Sequence, residues 1–555
     1  MVRAAKDPRF GDYQSNLAMP LAKVTGRKPR EIAELVASAL QPRVAEGHLD
    51  DVNVAGPGFI NLRLTTRFLD EQLAAMLADP RLGVPTATSP STVVVDYSSP
   101  NLAKEMHIGH LRSSIIGDAI CRILSFHGDR TIRQNHLGDW GTQFGMLLEH
   151  LLDTGWESSK DHSISDLNLL YQEAKKRFDD DEEFRGRSRC RVVSLQAGDP
   201  EALSLWRQLI GESVRHMNAV YRKLGLLLED GDIRPESFYN PELPKVVQDL
   251  RDAGLLVEDE GAKVVFPEGF KNKEGEPLPL IVQKKDGGFG YATTDLAAAR
   301  HRVTQLGAKR IVYVVDSRQA DHFSMVFGTL RKAGWAPDDV ALDYVPFGTI
   351  LGPDRKPFKT REGGTVRLVD VLDEAVARAR KVLEEKGSEL APTEREQVAH
   401  AVGTGAVKYA DLSSERIKDY IFDYDRMLAL EGNTAPYLQN AYVRIRSIFR
   451  KGEVLPESLT PGAIRIENSA ERTLALLLLQ LPAALEGVVT SLEPHRLCNY
   501  LYELAASYHA FYEKCPVLGA ANAAQRLSRL ALSHLVASTL ALGLDLLGID
   551  VVERM

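Results

Sequence analysis

The sequence predicts a doubly wound α/β domain with a helical insertion, preceded by a small α+β unit and followed by an α-helical bundle. The run "TVVVDYSSP" is continuous and β-branched, which suits a strand buried on both faces of a parallel sheet. Apolar runs at 310–315 and 343–350 alternate with helical patterns, as in a doubly wound sheet. From about residue 370 onward, strand signals nearly vanish and long helical patterns follow.

Residues 1–88 are predicted to form the α+β unit. The stretch "PREIAELVASAL" has helical spacing, and "VNVAGPGFINLRL" alternates like two strands around a Gly-Pro-Gly turn. The following "GVPTATSPST" is rich in Pro and Thr and is typical of a linker. The α/β domain is therefore expected over residues 89–370.

A long charged region separates the two halves of the predicted sheet, from about residue 150 to 280. It contains "YQEAKKRFDDDEEFRGRSR" and "LWRQLIGESVRHMNAVYRKLG", which favour helices. We therefore interpret this region as a helical insertion in the α/β domain, and residues 371–555 as the bundle.

Composition predicts a cytoplasmic protein without a membrane span. The formal net charge is −8, which argues against a protein coated in positive charge for indiscriminate nucleic-acid binding. The four cysteines are scattered without a C-x-x-C pair, which indicates neither a zinc ribbon nor a disulfide framework. The N-terminus lacks the apolar segment of an export signal, and the apolar run "TLALLLLQLPAALEGVV" is interrupted by Pro482 and Glu486.

The segment "PNLAKEMHIGH" carries the strongest functional signal. It joins the predicted strand to a helical pattern, and in an open α/β sheet nucleotides bind where strand ends meet a helix N-terminus. His107 and His110 lie at the helix start, with Lys104 upstream, and Gly109 removes a side chain where a ligand needs close approach. The cluster predicts a polyphosphate site, although an isolated H-x-G-H is often only an accident of a helix start.

The block S-x-P-N-x-A-K-x-x-H-x-G-H-L-R-S resembles the HIGH signature of class I aminoacyl-tRNA synthetases, in the extended form of arginyl-tRNA synthetases. Further resemblance spans nearly the whole chain, including "FGDYQSNLAMPLAK", "RQNHLGDWGTQFGML", "GYATTDLAAARHR", "PFKTREGGTVRLVDVLDEA", "NTAPYLQNAYVRIRSI" and "GIDVVERM". It implies a class I synthetase Rossmann-type domain and a monomeric, cytoplasmic arginine–tRNA ligase. The implied partners are arginine, tRNA(Arg) and ATP with Mg²⁺, and no protein-bound metal is expected. The resemblance further implies that arginine activation requires bound tRNA.

The resemblance implies an arginine pocket. Asp96, Tyr291 and Asp295 would face the substrate side chain, and Asn101 and Gln319 would hold its α-amino and carboxylate groups. A guanidinium has five donors in a rigid fork that carboxylates match best, and a phenol ring can pack on its planar face. Lysine lacks the fork, so we expect it to be rejected. The alternative is that Asp295 caps a helix and Tyr291 is a core aromatic.

The loop "GPDRKPFKTREGG" at 352–364 is expected to be the second phosphate element. Class I synthetases generally carry KMSKS lysines there, whereas this chain has FKTRE at 358–362, so Lys359 and Arg361 are the nearby cations. The resemblance implies that Lys104 compensates for the missing lysine. The implied ATP-binding residues are Lys104, His107, Gly109, His110, His322 and Lys359, with Trp140 and Gln143 in the same region. The alternative is a charged, Gly-rich solvent loop.

Two tRNA contacts are also implied. In "YLQNAYVRIRSIFRK", aromatic rings would stack on unpaired anticodon bases while arginines bind phosphates. The residues concerned are Tyr437, Tyr442, Arg444, Arg446 and Arg450, and in the N-terminal unit Phe10, Tyr13 and Asn16 would contact the tRNA elbow. The alternative is an amphipathic helix whose aromatics lie in the bundle core.

Three competing functions remain at this point: a class I synthetase for another amino acid, a nucleotidylyltransferase with the same H-x-G-H architecture, and a non-catalytic RNA-binding protein. A small nucleotidylyltransferase would not need the helical C-terminal third. A protein that had lost catalysis would be expected to lose Lys104, His107, His110 or the pocket acids, and all of these are present.

Overall fold

The computed structural model describes residues 2–5, 7–102, 104–155, 164–196, 198–272, 274–358, 366–385 and 390–555. Within these residues the chain forms a small N-terminal sheet with helices, a parallel four-stranded sheet covered by helices, and a C-terminal helical bundle. The fold class predicted from the sequence is confirmed.

The N-terminal unit is built around a four-stranded antiparallel sheet in the order β1-β2-β4-β3. Its elements are β1 (Val2–Ala4), β2 (Tyr13–Ser15), α1 (Ala18–Thr25), α2 (Pro29–Ala45), β3 (Leu49–Ala55), β4 (Phe59–Leu64) and α3 (Thr66–Ala78). The Gly-Pro-Gly turn joins β3 to β4 as predicted. Gly58 has φ +138°, and a Cβ there would lie 2.9 Å from the backbone of Pro29, so this turn requires glycine.

The central region alternates strands and helices. Its elements are β5 (Thr92–Asp96), α4 (Gly109–His127), β6 (Arg130–Gln134), α5 (Thr142–Thr154), α6 (Ile164–Asp180), α7 (Glu182–Gln196), α8 (Pro200–Leu224), α9 (Leu243–Asp252), β7 (Val257–Asp259), β8 (Ala262–Val265), β9 (Leu280–Gln283), α10 (Tyr291–Thr304), β10 (Arg310–Asp316), α11 (Ala320–Lys332), β11 (Ala341–Phe347) and β12 (Ile350–Leu351).

The parallel sheet has the order β11-β10-β5-β6. From β5 the chain passes through α4 to β6 on one side, and it later returns to β10 on the other side of β5. The strand order therefore reverses between β5 and β10, and such a switch point opens a crevice at the carboxyl ends of the strands. Ser113 of α4 fixes the helix over this point, because its hydroxyl donates to the carbonyl of Val314 at 2.6 Å.

The insertion is helical from α6 to α9, but the sequence analysis missed a three-stranded antiparallel sheet formed by β7, β8 and β9. These strands have only three or four residues each, and β7 (Val257–Asp259) is exposed along its length. Strands this short give too few positions for the apolar alternation from which strands are predicted. A turn through Glu260 and Gly261, both with positive φ, closes the first hairpin.

The C-terminal region is almost entirely helical. Its elements are α12 (Leu368–Glu385), α13 (Pro392–Leu412), β13 (Tyr420–Ile421), α14 (Tyr424–Met427), α15 (Ala435–Gly452), α16 (Ser469–Leu478), α17 (Leu481–Ser491), α18 (His495–Lys514) and α19 (Ala523–Leu546). By length and composition alone, Ser469–Ser491 and Ala523–Leu546 are apolar enough to cross a membrane, and 72% of the most apolar window of α19 is buried. Helices α17 and α19 pack against α4, so the bundle shares one apolar core with the parallel sheet.

Candidate active site

A cavity of about 640 Å³ lies at the carboxyl ends of β5 and β10. It is lined by most of the residues that the sequence analysis assigned to ATP and arginine. These are Asp96, Asn101, His107, Gly109, His110, Tyr291, Asp295, Gln319 and His322. Residues separated by more than 200 positions in the chain therefore meet at one place, which is the switch point of the sheet.

The loop after β5 is held in an uncommon backbone conformation. Ser98 has φ +67° and Ser99 has φ +43°. Both values lie in the left-handed region, which residues other than glycine rarely adopt. Hydrogen bonds stabilise it: the Ser98 backbone N–H donates to the hydroxyl of Ser113, and the Ser99 N–H donates to the side-chain carbonyl of Asn135. The loop thus turns sharply from the strand into the cavity wall.

The rings of the two signature histidines lie against each other, with centroids 4.0 Å apart and planes tilted by 37°. The backbone N–H of Gly109 donates to Nδ1 of His107, and the backbone N–H of His107 donates to Nδ1 of His110, both at 3.0 Å. Because Nδ1 accepts in each ring, the proton of each neutral imidazole resides on Nε2. A Cβ on Gly109 would lie 2.7 Å from the His107 ring, so the packing of His107 requires glycine at this position.

Both histidines are held neutral. Burial lowers the pKa of His107, and the positive charge of Lys104 lowers it further. Burial, followed by the neighbouring His107, lowers the pKa of His110 to about 3. A neutral imidazole donates one hydrogen bond without carrying a full charge, which suits an anion that also binds other cations.

Asp295 and Tyr291 lie one helical turn apart at the start of α10. The Asp295 carboxylate pairs with Nε2 of His322 at 2.6 Å and lies 3.8 Å from Nε2 of His136. Tyr291 is 67% exposed, and its ring packs edge-on against His322 with centroids 4.8 Å apart. The alternative in which Tyr291 is a core aromatic is therefore excluded.

Asp96 also borders the cavity, but its carboxylate is already engaged. It accepts a hydrogen bond from Arg302 at 2.6 Å and another from the hydroxyl of Ser99 at 2.8 Å. Arg302 is completely buried and donates a further hydrogen bond to Gln134 at 2.6 Å. Asp96 and Arg302 thus form a buried ion pair, in which removal of one partner would leave an uncompensated charge.

Glu236 is an acidic residue of the cavity wall that the sequence analysis missed. Burial raises the pKa of its carboxyl to about 8, and repulsion from Asp139 and Asp295 adds to the effect. In the described residues, no ion pair or hydrogen bond to its carboxylate is found. The only sequence signal was the acid in "RPESFYNPELP", inside a region interpreted as an insertion, and nothing in its spacing pointed to the cavity.

Lys104 is exposed and is not among the residues that line the cavity, but its charge acts on His107 and His110. Lys359 and Arg361 fall outside the described residues. The segment that follows them is joined to the signature loop: the Ile108 N–H donates to the carbonyl of Val366 at 3.0 Å, and the Leu368 N–H donates to that of Met106 at 2.9 Å. The start of α12 is thereby tied to the histidine pair. In the described part of the chain, no group of three His, Cys, Asp or Glu side chains is placed to hold a metal ion.

The basic side chains of α15 lie on the bundle surface, with three of the predicted tRNA contacts gathered around Glu553. Arg446 pairs with the Glu553 carboxylate at 2.9 Å, Arg450 donates to its carbonyl at 2.9 Å, and the Tyr442 hydroxyl bonds the carboxylate at 3.1 Å. Arg444 is exposed and bonds His509, whose ring packs against Tyr437. In the N-terminal unit, Phe10 is 42% exposed, Tyr13 lies in β2 half-buried, and Asn16 is exposed.

Three family models match the chain in succession. The arginyl tRNA synthetase N-terminal domain matches residues 1–64, the class I (R) tRNA synthetase catalytic domain matches residues 72–424, and the DALR anticodon binding domain matches residues 438–555.

Relatives match along the full length. An arginine–tRNA ligase of Cellvibrio japonicus is 51% identical, covering 100% of this chain and 96% of the relative, and one of Escherichia coli is 50% identical, covering 100% and 95%. The crystal structure of the Plasmodium falciparum arginyl-tRNA synthetase superposes with a TM-score of 0.86 at 32% identity, covering 100% of this chain and 95% of that one. The Thermus thermophilus arginyl-tRNA synthetase superposes with a TM-score of 0.82 at 26% identity, covering 100% and 96%. The chain belongs to the arginyl-tRNA synthetase family of class I aminoacyl-tRNA synthetases.

Proposed function

We propose that the cavity binds arginine with its guanidinium group between Asp295, Glu236 and Tyr291. The enzyme is an ATP-dependent arginine–tRNA ligase, so its amino-acid pocket has to recognise a planar cation. The observation that carries the assignment is the half-buried carboxyl group of Glu236, which lies in the same cavity as Asp295 and for which the described residues provide no ion pair or hydrogen bond. A buried carboxylate without a cation is unfavourable, and a guanidinium fork supplies the missing donors.

Asp96 takes a supporting role in this proposal. Its carboxylate is neutralised by Arg302 at 2.6 Å, which leaves it little capacity to balance a second cation. The ion pair joins the end of β5 to α10, the helix that presents Tyr291 and Asp295. Asp96 therefore acts on arginine binding by holding α10 against the sheet.

His322 is better placed to support arginine recognition than ATP binding. Its Nε2 atom contacts the Asp295 carboxylate at 2.6 Å, and its ring packs against Tyr291. This contact fixes the rotamer of Asp295. Asn101 and Gln319, which line the same cavity, are left to bind the α-amino and carboxylate groups, as the family resemblance implies.

The polyphosphate of ATP would lie over the start of α4. The Nε2–H groups of His107 and His110 donate to phosphate oxygens, and Lys104 adds a full positive charge, as do Lys359 and Arg361 in the second phosphate loop. The arginine carboxylate attacks the α-phosphorus of ATP, arginyl adenylate forms, and pyrophosphate leaves with its charge stabilised by these donors. Mg²⁺ would enter with ATP as part of the substrate complex and would offset the negative charge of its phosphates. The ribose hydroxyl at the tRNA 3′ end then attacks the acyl carbon, and AMP leaves.

tRNA would bind along the basic face of α15, where arginines contact phosphates and the tyrosines contact unpaired bases. The Glu553 carboxylate forms ion pairs with Arg446 and Arg450. A tRNA phosphate therefore has to displace this carboxylate before it binds these arginines. Phe10, Tyr13 and Asn16 would contact the tRNA elbow. We propose that the enzyme acts as a monomer in the cytoplasm. One chain provides the cavity, the basic face of α15 and the N-terminal contact with the tRNA elbow.

The test is arginine-dependent ATP–pyrophosphate exchange with and without tRNA(Arg), using citrulline and lysine as competitors. Glu236→Gln and Asp295→Asn are expected to raise the KM for arginine by about 10- to 100-fold, since a hydrogen bond to a charged group contributes roughly 1.5–3 kcal/mol. The KM for ATP should change little. The matched control is Glu242→Gln, an acid of the same segment that lies outside the cavity and pairs with Arg300. An unchanged KM for arginine in Glu236→Gln would remove Glu236 from the pocket.

A further inference from the structure

Lys104 is held by an aromatic ring of the helical insertion. Its Nζ atom lies 4.4 Å from the centroid of the Tyr171 ring. Tyr171 belongs to α6, is half-buried, and packs against the main apolar core. The ring is therefore fixed by the packing of the insertion, while the lysine reaches it from an exposed position in the signature loop.

A ring holds a cation without cancelling its charge. In the described residues, no carboxylate lies within ion-pair distance of Lys104. Two other basic side chains near the site are paired with carboxylates: Arg318 pairs with Asp316 and Arg367 pairs with Asp370, both at 2.6 Å. The Tyr171 ring attracts the ammonium group through its quadrupole and leaves the positive charge available to a phosphate.

The backbone next to Lys104 is held separately. Glu105 pairs with Arg367 at 3.3 Å, and the Met106 carbonyl accepts from the Leu368 N–H. A lysine side chain still has several rotatable bonds beyond a fixed backbone, and its rotamers have to be restricted before its charge acts at one place. Among the described residues, the Tyr171 ring contacts the Lys104 ammonium group and restricts these rotamers.

We propose that Tyr171 is a positioning residue for the formation of arginyl adenylate, which holds the Lys104 ammonium group beside the histidine pair for the ATP phosphates. This inference rests on the function proposed above for Lys104. By this inference, the helical insertion also contributes to the formation of arginyl adenylate.

The test compares Tyr171→Leu and Tyr171→Met, which remove the ring but keep an apolar side chain, with Tyr171→Phe, which keeps the ring. We expect the first two to lower kcat/KM for ATP in pyrophosphate exchange by about five-fold, the loss expected for a cation–π contact. Tyr171→Phe should stay within about two-fold of the parent protein, and the KM for arginine should be unchanged in all three.

Phe178→Leu is the matched control. Phe178 lies on the same helix, is half-buried, and its ring faces Lys175 and Arg185 instead of Lys104, so its loss should leave the exchange unchanged. An equal loss in Phe178→Leu would overturn the inference, because the effect would then come from the packing of α6. Parent-like exchange in both Tyr171→Leu and Tyr171→Met would overturn it as well.

Lys104→Gln separates the two proposals. If Lys104→Gln strongly lowers kcat/KM for ATP, and the double variant Lys104→Gln/Tyr171→Leu lowers it no further, both proposals are supported. A strong loss in Lys104→Gln with no loss in Tyr171→Leu rejects only the role of Tyr171. Parent-like exchange in Lys104→Gln rejects the function proposed for the lysine, and the inference with it.

Discussion

Replacing Glu236 with glutamine is expected to abolish the pH dependence of arginine binding near neutrality. In the empty cavity, burial and the nearby Asp139 and Asp295 raise the pKa of Glu236 to about 8, so its carboxyl is mostly protonated at pH 7. A bound guanidinium stabilises the carboxylate, so arginine binding should release the proton from Glu236. Glutamine has no proton to release in this range.

The expected change in the Kd for arginine with pH follows from the pKa of Glu236. At pH 7 the carboxyl lies about one pH unit below its pKa, so ionising it opposes binding by roughly 1.4 kcal/mol, or about ten-fold in Kd. The Kd for arginine should therefore fall about ten-fold from pH 6 to pH 7, fall less from pH 7 to pH 8, and level off above that. About 0.9 proton should leave per arginine bound at pH 7.

Isothermal titration calorimetry of arginine binding, in two buffers of different ionisation enthalpy, measures both quantities. Glu236→Gln should bind arginine more weakly, with a Kd that no longer follows pH and without proton release. A pH-independent Kd and no proton release in the parent protein would refute the reasoning. The same pH dependence surviving in Glu236→Gln would refute it too, since the proton would then come from another group such as Asp139.

The same ionisation predicts an effect on stability. The folded pKa of Glu236 lies above its unfolded value, so the unfolded chain binds fewer protons, and stability is lost as the pH rises from about 4.5 to about 8. Glu236→Gln should therefore have a higher melting temperature than the parent protein at pH 8, and the difference should shrink towards pH 5. An equal difference at both pH values would contradict the assignment.

Three further outcomes are expected. Asp96→Asn leaves Arg302 buried and unpaired, so urea unfolding should show a loss of about 3–5 kcal/mol, and an unchanged midpoint would contradict the buried ion pair. Because the pKa of His110 is about 3, its NMR signals should remain those of a neutral imidazole down to about pH 4, and a midpoint near 6.5 would contradict the burial argument. Glu553→Gln removes a carboxylate that competes with tRNA phosphates for Arg446, so the Kd for tRNA(Arg) at low salt should fall about two- to five-fold. An unchanged Kd would place the tRNA elsewhere.

Much of this protein was predictable because its strongest signals are local. The strand that ends at Asp96, the signature loop and the helix that begins at Gly109 follow one another in sequence, so the apolar pattern predicts the strand and the helix, and the loop is the segment between them. The resemblance to arginyl-tRNA synthetases depends on the same short blocks. The short strands β7–β9 were missed because their contacts, not their composition, stabilise them.

Only the tertiary structure decided which carboxylate is available to a cationic substrate. Asp96 ends a strand at the cavity, as the sequence indicates, but the charge that neutralises it lies 206 residues later at Arg302. Glu236 belongs to a short 3-10 helix in a region that the sequence predicts to be an insertion. Packing brings it into the cavity, where the described part of the chain offers its carboxyl group no ion pair or hydrogen bond. The sequence by itself determined which residue types and local elements are present. The fold decided which carboxyl groups are paired and which are available, because ion pairs form between groups that are close in space but distant along the chain, and desolvation depends on how the groups are packed.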